Sequence, residues 1–268
     1  SAVIASAVAP GAGAAAVAQT VALAQAGTYT LAVAGADQST GAYTVRVVLN
    51  AAVEAESLGG AAHDDVATAQ VIDGAALALQ GAADSLAVLG IADGGDDYYS
   101  FALDAGEVAT LALAGPDAGS LGVTLHDGSG TLVALGDTGA ENLRQVIADF
   151  TAPAAGTYVA RVHGDAGIAY SLVVTRAAAF ELEPNAAAGE AQDLTILHAV
   201  LGDLGHLPPA SADPAPGSSV GLSTNLFDSL GFRWDIQQNA SISDGTSDAY
   251  DGAFRLSGFP AFGTGTTE

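Results

Sequence analysis

Apolar and polar residues alternate with a period of two over short runs, and Gly- and Asp-rich turns separate those runs. Thr28–Val33 and Ala42–Leu49 are two such runs, with Gly35–Gly41 as a turn between them. Residues 21–49 therefore predict a hairpin with polar faces outward. Short apolar or alternating runs follow at Leu86–Ile91, Tyr98–Leu103, Val108–Leu113, Leu121–His126, Thr131–Leu135, Val146–Phe150, Gly156–Val162 and Ala169–Thr175. Asp104-Ala105-Gly106-Glu107 and Asp127-Gly128-Ser129-Gly130 read as tight turns between them. Strands at this spacing predict an all-β fold, with antiparallel, jelly-roll-like β-sandwiches in tandem and terminal ones left incomplete.

The tandem reading comes from a repeat. Gly27-Thr28-Tyr29-Thr30-Leu31-Ala32-Val33 returns as Gly156-Thr157-Tyr158-Val159-Ala160-Arg161-Val162, and each copy reaches a second tyrosine, Tyr43 or Tyr170. An acidic pair follows each, Glu54/Glu56 or Glu181/Glu183, and then an Ala-Gln pair, Ala69-Gln70 or Ala191-Gln192. A period of about 125–130 residues is the size of a whole domain rather than a solenoid unit. The boundaries this predicts are 1–53 for the C-terminal part of a first sandwich and 54–185 for a complete one. A Pro-rich connector follows at 186–222, and 223–268 begins a third β-rich domain. Residues 1–20 supply one or two strands at most, so the first unit reads as lacking its front half. Leu194–Leu204 fits a short helix or a pair of strands, and the pattern does not choose. Phe227, Phe232, Trp234, Tyr250, Phe254, Phe259 and Phe262 concentrate aromatics that are scarce elsewhere.

Composition narrows the partners. Thirty acids face six bases, a formal charge of −24, and all six bases are arginines. Such a surface repels nucleic acid and anionic lipid and is compatible with divalent cations, high salt or simple solubility. Cysteine is absent, so disulfides are excluded. No run of 18 apolar residues is free of Gly, polar or turn residues, which predicts no membrane insertion, and no basic leader is legible. With no initiator Met, the sequence reads as processed or as a fragment of a longer chain.

The second unit resembles the bacterial pre-peptidase C-terminal domain. The residues that carry the resemblance are Gly95-Asp96-Asp97-Tyr98-Tyr99-Ser100-Phe101, Asp104-Ala105-Gly106-Glu107 and Leu125-His126-Asp127-Gly128-Ser129-Gly130-Thr131-Leu132. They continue through Ala152-Pro153-Ala154-Ala155-Gly156-Thr157-Tyr158 and Tyr170-Ser171-Leu172-Val173-Val174 to Glu181-Leu182-Glu183-Pro184-Asn185. The likeness spans about residues 54–185, and 21–53 resemble the last third of another copy. It implies a jelly-roll-like sandwich without catalytic residues of its own, found beside secreted peptidases or repeated in large extracellular proteins, some members of which bind calcium. Two departures stand out. The chain shows no peptidase module, and Trp234-Asp235-Ile236 with Asp244–Gly252 looks like a different β-rich surface domain.

The candidate metal ligands are Asp244, Asp248 and Asp251 in one loop and Asp93, Asp96 and Asp97 before a strand. Calcium takes six to eight hard oxygen ligands, which Asp-dense loops supply; the alternative is turns in which Asp side chains bond backbone amides. Glu54, Glu56, Asp64, Asp65, Glu181 and Glu183 could clamp an ion at the connectors or stand solvated. His63, His126, His163, His198 and His206 lack zinc-ligand spacing, and no Gly-x-Ser-x-Gly elbow appears. Tyr29, Tyr43, Tyr98, Tyr99, Tyr158 and Tyr170 read as core and corner anchors, with a sugar platform as the alternative.

The expected function is non-catalytic: a structural or adhesion module of a secreted or cell-surface repeat protein. Its partners would be other copies of itself, neighbouring domains, or cell-surface glycans. Half-sandwiches that complete each other would assemble a filament by strand complementation. The alternatives are an accessory region of a secreted peptidase or glycan hydrolase, and a carbohydrate-binding module.

Overall fold

The structure, a computed structural model, describes residues 2–201 apart from 24, 26, 27, 37, 38, 80, 116–119, 139–142, 144, 186, 196 and 198, together with the backbones of 234–242 and 248–255. The first strands in chain order are β1 (Thr28–Val33), β2 (Gly41–Leu49), β3 (Ala52–Val53), β4 (Gln70–Val71), β5 (Leu77–Ala78) and β6 (Asp84–Ile91). Then come β7 (Asp96–Leu103), β8 (Val108–Ala114), β9 (Leu121–Asp127), β10 (Leu132–Leu135), β11 (Gln145–Thr151), β12 (Gly156–Gly164) and β13 (Ala169–Arg176). The last are β14 (Ala178–Phe180), β15 (Ala199–Leu201), β16 (Trp234–Ile242) and β17 (Asp248–Arg255). The described residues contain no α-helix; 3₁₀ turns stand at Glu56–Leu58 and Asp73–Ala75. The chain divides into two compact units, Ser1–Val21 with Asn50–Leu204 and Ala22–Leu49 with Gly205–Glu268.

The first unit is a β-sandwich. One sheet runs β10-β9-β12-β7-β4 and the other β11-β8-β13-β6-β3, with β5 on β6. All eight runs expected between 86 and 175 are strands, β6 to β13. Their long ladders are antiparallel, but the sheets are mixed, because β3 on β6 and β4 on β7 are parallel. Alternate side chains of each strand point inward. Leu86, Val88, Leu111, Leu113, Leu172 and Val174 of one sheet meet Tyr99, Phe101, Val123, Leu125, Tyr158 and Val162 of the other in one buried cluster.

Consecutive strands mostly change sheets. The Asp104–Glu107 turn, closed by Glu107 N–H to Asp104 C=O at 3.0 Å, carries the chain from β7 in one sheet to β8 in the other. The Asp127–Gly130 turn instead closes a true hairpin of β9 and β10. There the Asp127 carboxylate accepts from the amides of Ser129 and Thr131, each at 2.9 Å, and Gly130 adopts φ 87°.

Arg176 ties the edge of the sandwich. Its guanidinium forks onto Asp84 at 2.6 and 2.5 Å and reaches Asp73 and the Ala102 carbonyl, both at 3.1 Å. Ala102 belongs to the opposite sheet, so one side chain spans both layers. Arg176→Lys keeps the charge but loses the fork, and is expected to cost about 2 kcal/mol by urea unfolding. A cost near zero would mean the fork is solvent-screened.

In the second unit β1 pairs with β17 and β2 with β16, both antiparallel. The hairpin expected over 21–49 therefore does not form: its two strands exist but lie in separate sheets. The turn signal at 35–41 reports a reversal of direction, and in sandwich topology a reversal often changes layer. β12 and β13 behave the same way, each in a different sheet. The two Gly-Thr-Tyr strands share more than sequence. Tyr29, Leu31 and Val33 stand opposite Phe254, Tyr250 and Asp248, as Tyr158, Ala160 and Val162 stand opposite Phe101, Tyr99 and Asp97. Tyr29 donates its hydroxyl to the carbonyl of Gln25 at 2.6 Å, and Tyr158 to that of Ala154 at 2.9 Å, each four residues upstream. Both tyrosines are thus corner anchors, as the sequence predicts.

Candidate functional site

The connector before the sandwich, residues 50–71, is built into it. Ala52 and Val53 extend one sheet as β3, and Gln70 and Val71 extend the other as β4. Between them the chain folds inward and buries Glu54, 3% exposed, and His63, 1% exposed. Burial overturns the solvated reading of Glu54, whose Oε1 faces His63 Nε2 at 3.1 Å. The Ser57 amide also donates to Glu54 at 2.8 Å. The His63 carbonyl accepts from the Tyr98 amide at 2.9 Å, which fixes the loop against β7.

On the other side of the imidazole lies Asp97. Its Oδ1 is 3.9 Å from His63 Nδ1, an atom without a hydrogen-bond partner among the described residues. Tyr170 donates to Asp97 Oδ2 at 2.5 Å, and Tyr99 in turn donates to the Tyr170 hydroxyl. The Tyr99 ring packs 5.2 Å from that of His63. A chain of polar groups therefore runs from Glu54 through His63, Asp97 and Tyr170 to Tyr99, within the interior.

Burial sets the proton affinities, and the partners modify them. Desolvation pushes the Asp97 carboxyl up to about 6, against the opposing pull of Tyr170 and His63. Burial also works against the Glu54 charge, but the bonds from His63 and Ser57 outweigh it and hold that carboxyl below its ordinary range. For His63 burial opposes the proton, whereas Glu54 and the Asp97 charge more than restore it, so the imidazole lies above its usual value. Burial and the Asp97 charge raise Tyr99.

The acidic triplet expected before the strand is split by strand geometry. Adjacent strand residues face opposite sides: Asp97 turns into the interior, while Asp96 turns out and pairs with Arg161 at 2.9 Å. Asp93 stays in the turn and accepts from the Gly95 amide at 2.7 Å. Of the other triplet, Asp244 lies outside the described residues, and Asp248 and Asp251 sit on β17, described by its backbone alone. Among the described residues no group of three or more His, Asp or Glu is arranged to hold a metal ion. His126 serves its hairpin, bonding the Gly130 carbonyl through Nδ1 at 3.1 Å and Thr124 through Nε2 at 3.0 Å. His198 and His206 lie outside the described residues. Sequence reasoning did not single out His63 with Glu54; the available signal was the acidic pair recurring at a fixed distance after each second tyrosine.

A sandwich whose approach segment is locked in by a buried polar chain defines a modular all-β domain. Residues 95–164 match the bacterial pre-peptidase C-terminal domain, and the chain contains such a domain there. Domains of this kind are non-catalytic and are typically accessory domains of secreted bacterial proteins. Comparison with curated proteins finds no match. Among solved structures, a periplasmic inhibitor of g-type lysozyme, PliG from Aeromonas hydrophila, is similar at 16% identity and a TM-score of 0.31, over 40% of this chain and 96% of that one. A likeness that loose carries no argument.

Proposed function

We propose that this chain is a non-catalytic structural module of a secreted or cell-surface bacterial protein, a β-sandwich spacer held in series by docked connectors. The observation that carries the reading is the connector itself. A flexible linker leaves its polar groups in water; here residues 52–71 donate a strand to each sheet and bury an acid–imidazole pair. That construction transmits orientation and load instead of absorbing it, which suits spacing and adhesion. Purified chain incubated with denatured casein and with amorphous chitin is expected to give no turnover. Hydrolysis abolished by a single substitution would instead favour the alternative of an enzyme region.

A second reading, assembly between copies, has its own support. The strands of the N-terminal segment, β1 and β2, pair with β17 and β16 from the other end of the sequence. The same pairings made between two copies would close each unit from two chains and propagate head to tail. Sedimentation over a wide concentration range is expected to show growing oligomers; a monomer at every concentration retires the filament. A calcium role for the Asp-rich loops is checked by thermal melts with and without chelator, because a cation that binds only the folded state must raise the midpoint; an unchanged midpoint removes it.

A further inference from the structure

The first unit makes the same joint twice. At the first, Ala52 and Val53 lie opposite Val88 and Leu89 in a parallel pair. The next amide, Glu54, donates to the Leu89 carbonyl at 2.7 Å. Gln70 then clips the departing strand from the side: its Oε1 accepts from Ala55 N–H at 2.9 Å, and its Nε2 donates to Val53 C=O at 2.9 Å.

At the second, Ala179 and Phe180 lie opposite Val200 and Leu201, again parallel. Glu181 N–H donates to the Leu201 carbonyl at 2.8 Å. Gln192 Oε1 accepts from Leu182 N–H at 3.1 Å, and Gln192 Nε2 donates to Phe180 C=O at 2.9 Å. Each acid side chain has its own donor, His63 for Glu54 and Asn185 for Glu181 at 2.9 Å. The receiving strands read Ala87-Val88-Leu89 and Ala199-Val200-Leu201.

We infer that residues 178–201 are a second copy of the module joint, in which β15 receives β14 as β6 receives β3. Gln70 and Gln192 are the clips that hold each joint. A carboxamide is needed there because one side chain must both accept from an amide and donate to a carbonyl two residues earlier, which a carboxylate cannot do. The partner surface is therefore defined chemically: a strand segment Ala-Val-Leu whose leucine carbonyl accepts from the amide of the acidic residue. This inference rests on the serial-module reading and adds the contact that joins successive modules.

Hydrogen exchange on the full chain tests it. In the unaltered protein the amides of Glu181 and Leu182 should be protected, like those of Glu54 and Ala55. Gln192→Leu is expected to speed exchange at Glu181 and Leu182 by about tenfold, the equivalent of one lost hydrogen bond, with Glu54, Ala55 and Val173 unchanged. Gln70→Leu should do the converse. Gln192→Glu, which keeps the acceptor alone, should fall between. Unprotected Glu181 and Leu182 amides in the unaltered chain, or indifference of both to Gln192→Leu, would overturn the joint. Either result leaves the non-catalytic reading standing, whereas substrate turnover would overturn that reading and leave the joint intact.

Discussion

Gly90→Ala is expected to lower the stability of the sandwich by about 3 kcal/mol, because no side chain fits between β6 and the ring of Tyr170. A Cβ at residue 90 would stand 2.2 Å from Tyr170 Cζ and 2.3 Å from its hydroxyl oxygen. The ring has no easy retreat. It sits opposite Gly90 in the β13–β6 ladder, is 4% exposed, and is pinned at its tip by Asp97 and Tyr99. Urea unfolding of the full chain reads the loss as a shift in midpoint. Gly90→Ala combined with Tyr170→Leu should cost clearly less than the sum of the two single changes, since removing the ring opens the space. Additive costs, or a Gly90→Ala effect under about 0.5 kcal/mol, would mean that Tyr170 is not held where it stands.

Glu54→Ala is the second large change. It strands a buried imidazole and removes the acceptor of the Ser57 amide, and breaking a buried pair on one side costs about 3 kcal/mol. The same pair makes stability depend on pH. Between pH 3.8 and about 6, folded Asp97 keeps a proton that the unfolded chain has released, so stability falls as pH rises. The His63 contribution is fully present below its ordinary 6.5 and is lost as pH rises through its elevated folded value. Glu54 acts the other way: its contribution is present above 4.5 and lost as pH falls through its depressed folded value. The urea midpoint is therefore expected to decline from pH 5 to pH 8. His63→Gln should confine that decline to the region below about pH 6. A profile flat across the whole range would show that the buried chain of polar groups does not titrate with folding.

Much of the sandwich was legible because its strands carry their own signals. Val108–Leu113 and Leu121–His126 are bounded by Asp and Gly turns, and local turn chemistry does not depend on what lies far away. Pairing is a different matter. Nothing near Thr28–Val33 announces a partner some two hundred residues on, and the turn after it mimicked a hairpin. The candidate site shows both outcomes. The Asp93, Asp96, Asp97 cluster looked like one site because the three are close in sequence, yet strand alternation sends Asp96 to Arg161 and Asp97 to Tyr170. Glu54 looked open to solvent because acids and Gly surround it, and nothing marked His63 as its partner. Their burial follows from β3 and β4, two-residue strands too short to leave a periodic trace. The Ala-Gln pairs were visible as a repeat, but only the geometry shows a glutamine gripping backbone on both sides of an acid.

The arginines carry a last consequence. The chain has no lysine, so a trypsin-like peptidase can cut only after arginine. Arg161 lies mid-strand in β12, flanked by β7 and β9, and Arg176 lies in β13 between β6 and β8. Neither backbone can enter a protease cleft while the ladders hold. Digestion at these two bonds must wait for the sandwich to open, so the rate of cleavage there reports the module's own unfolding.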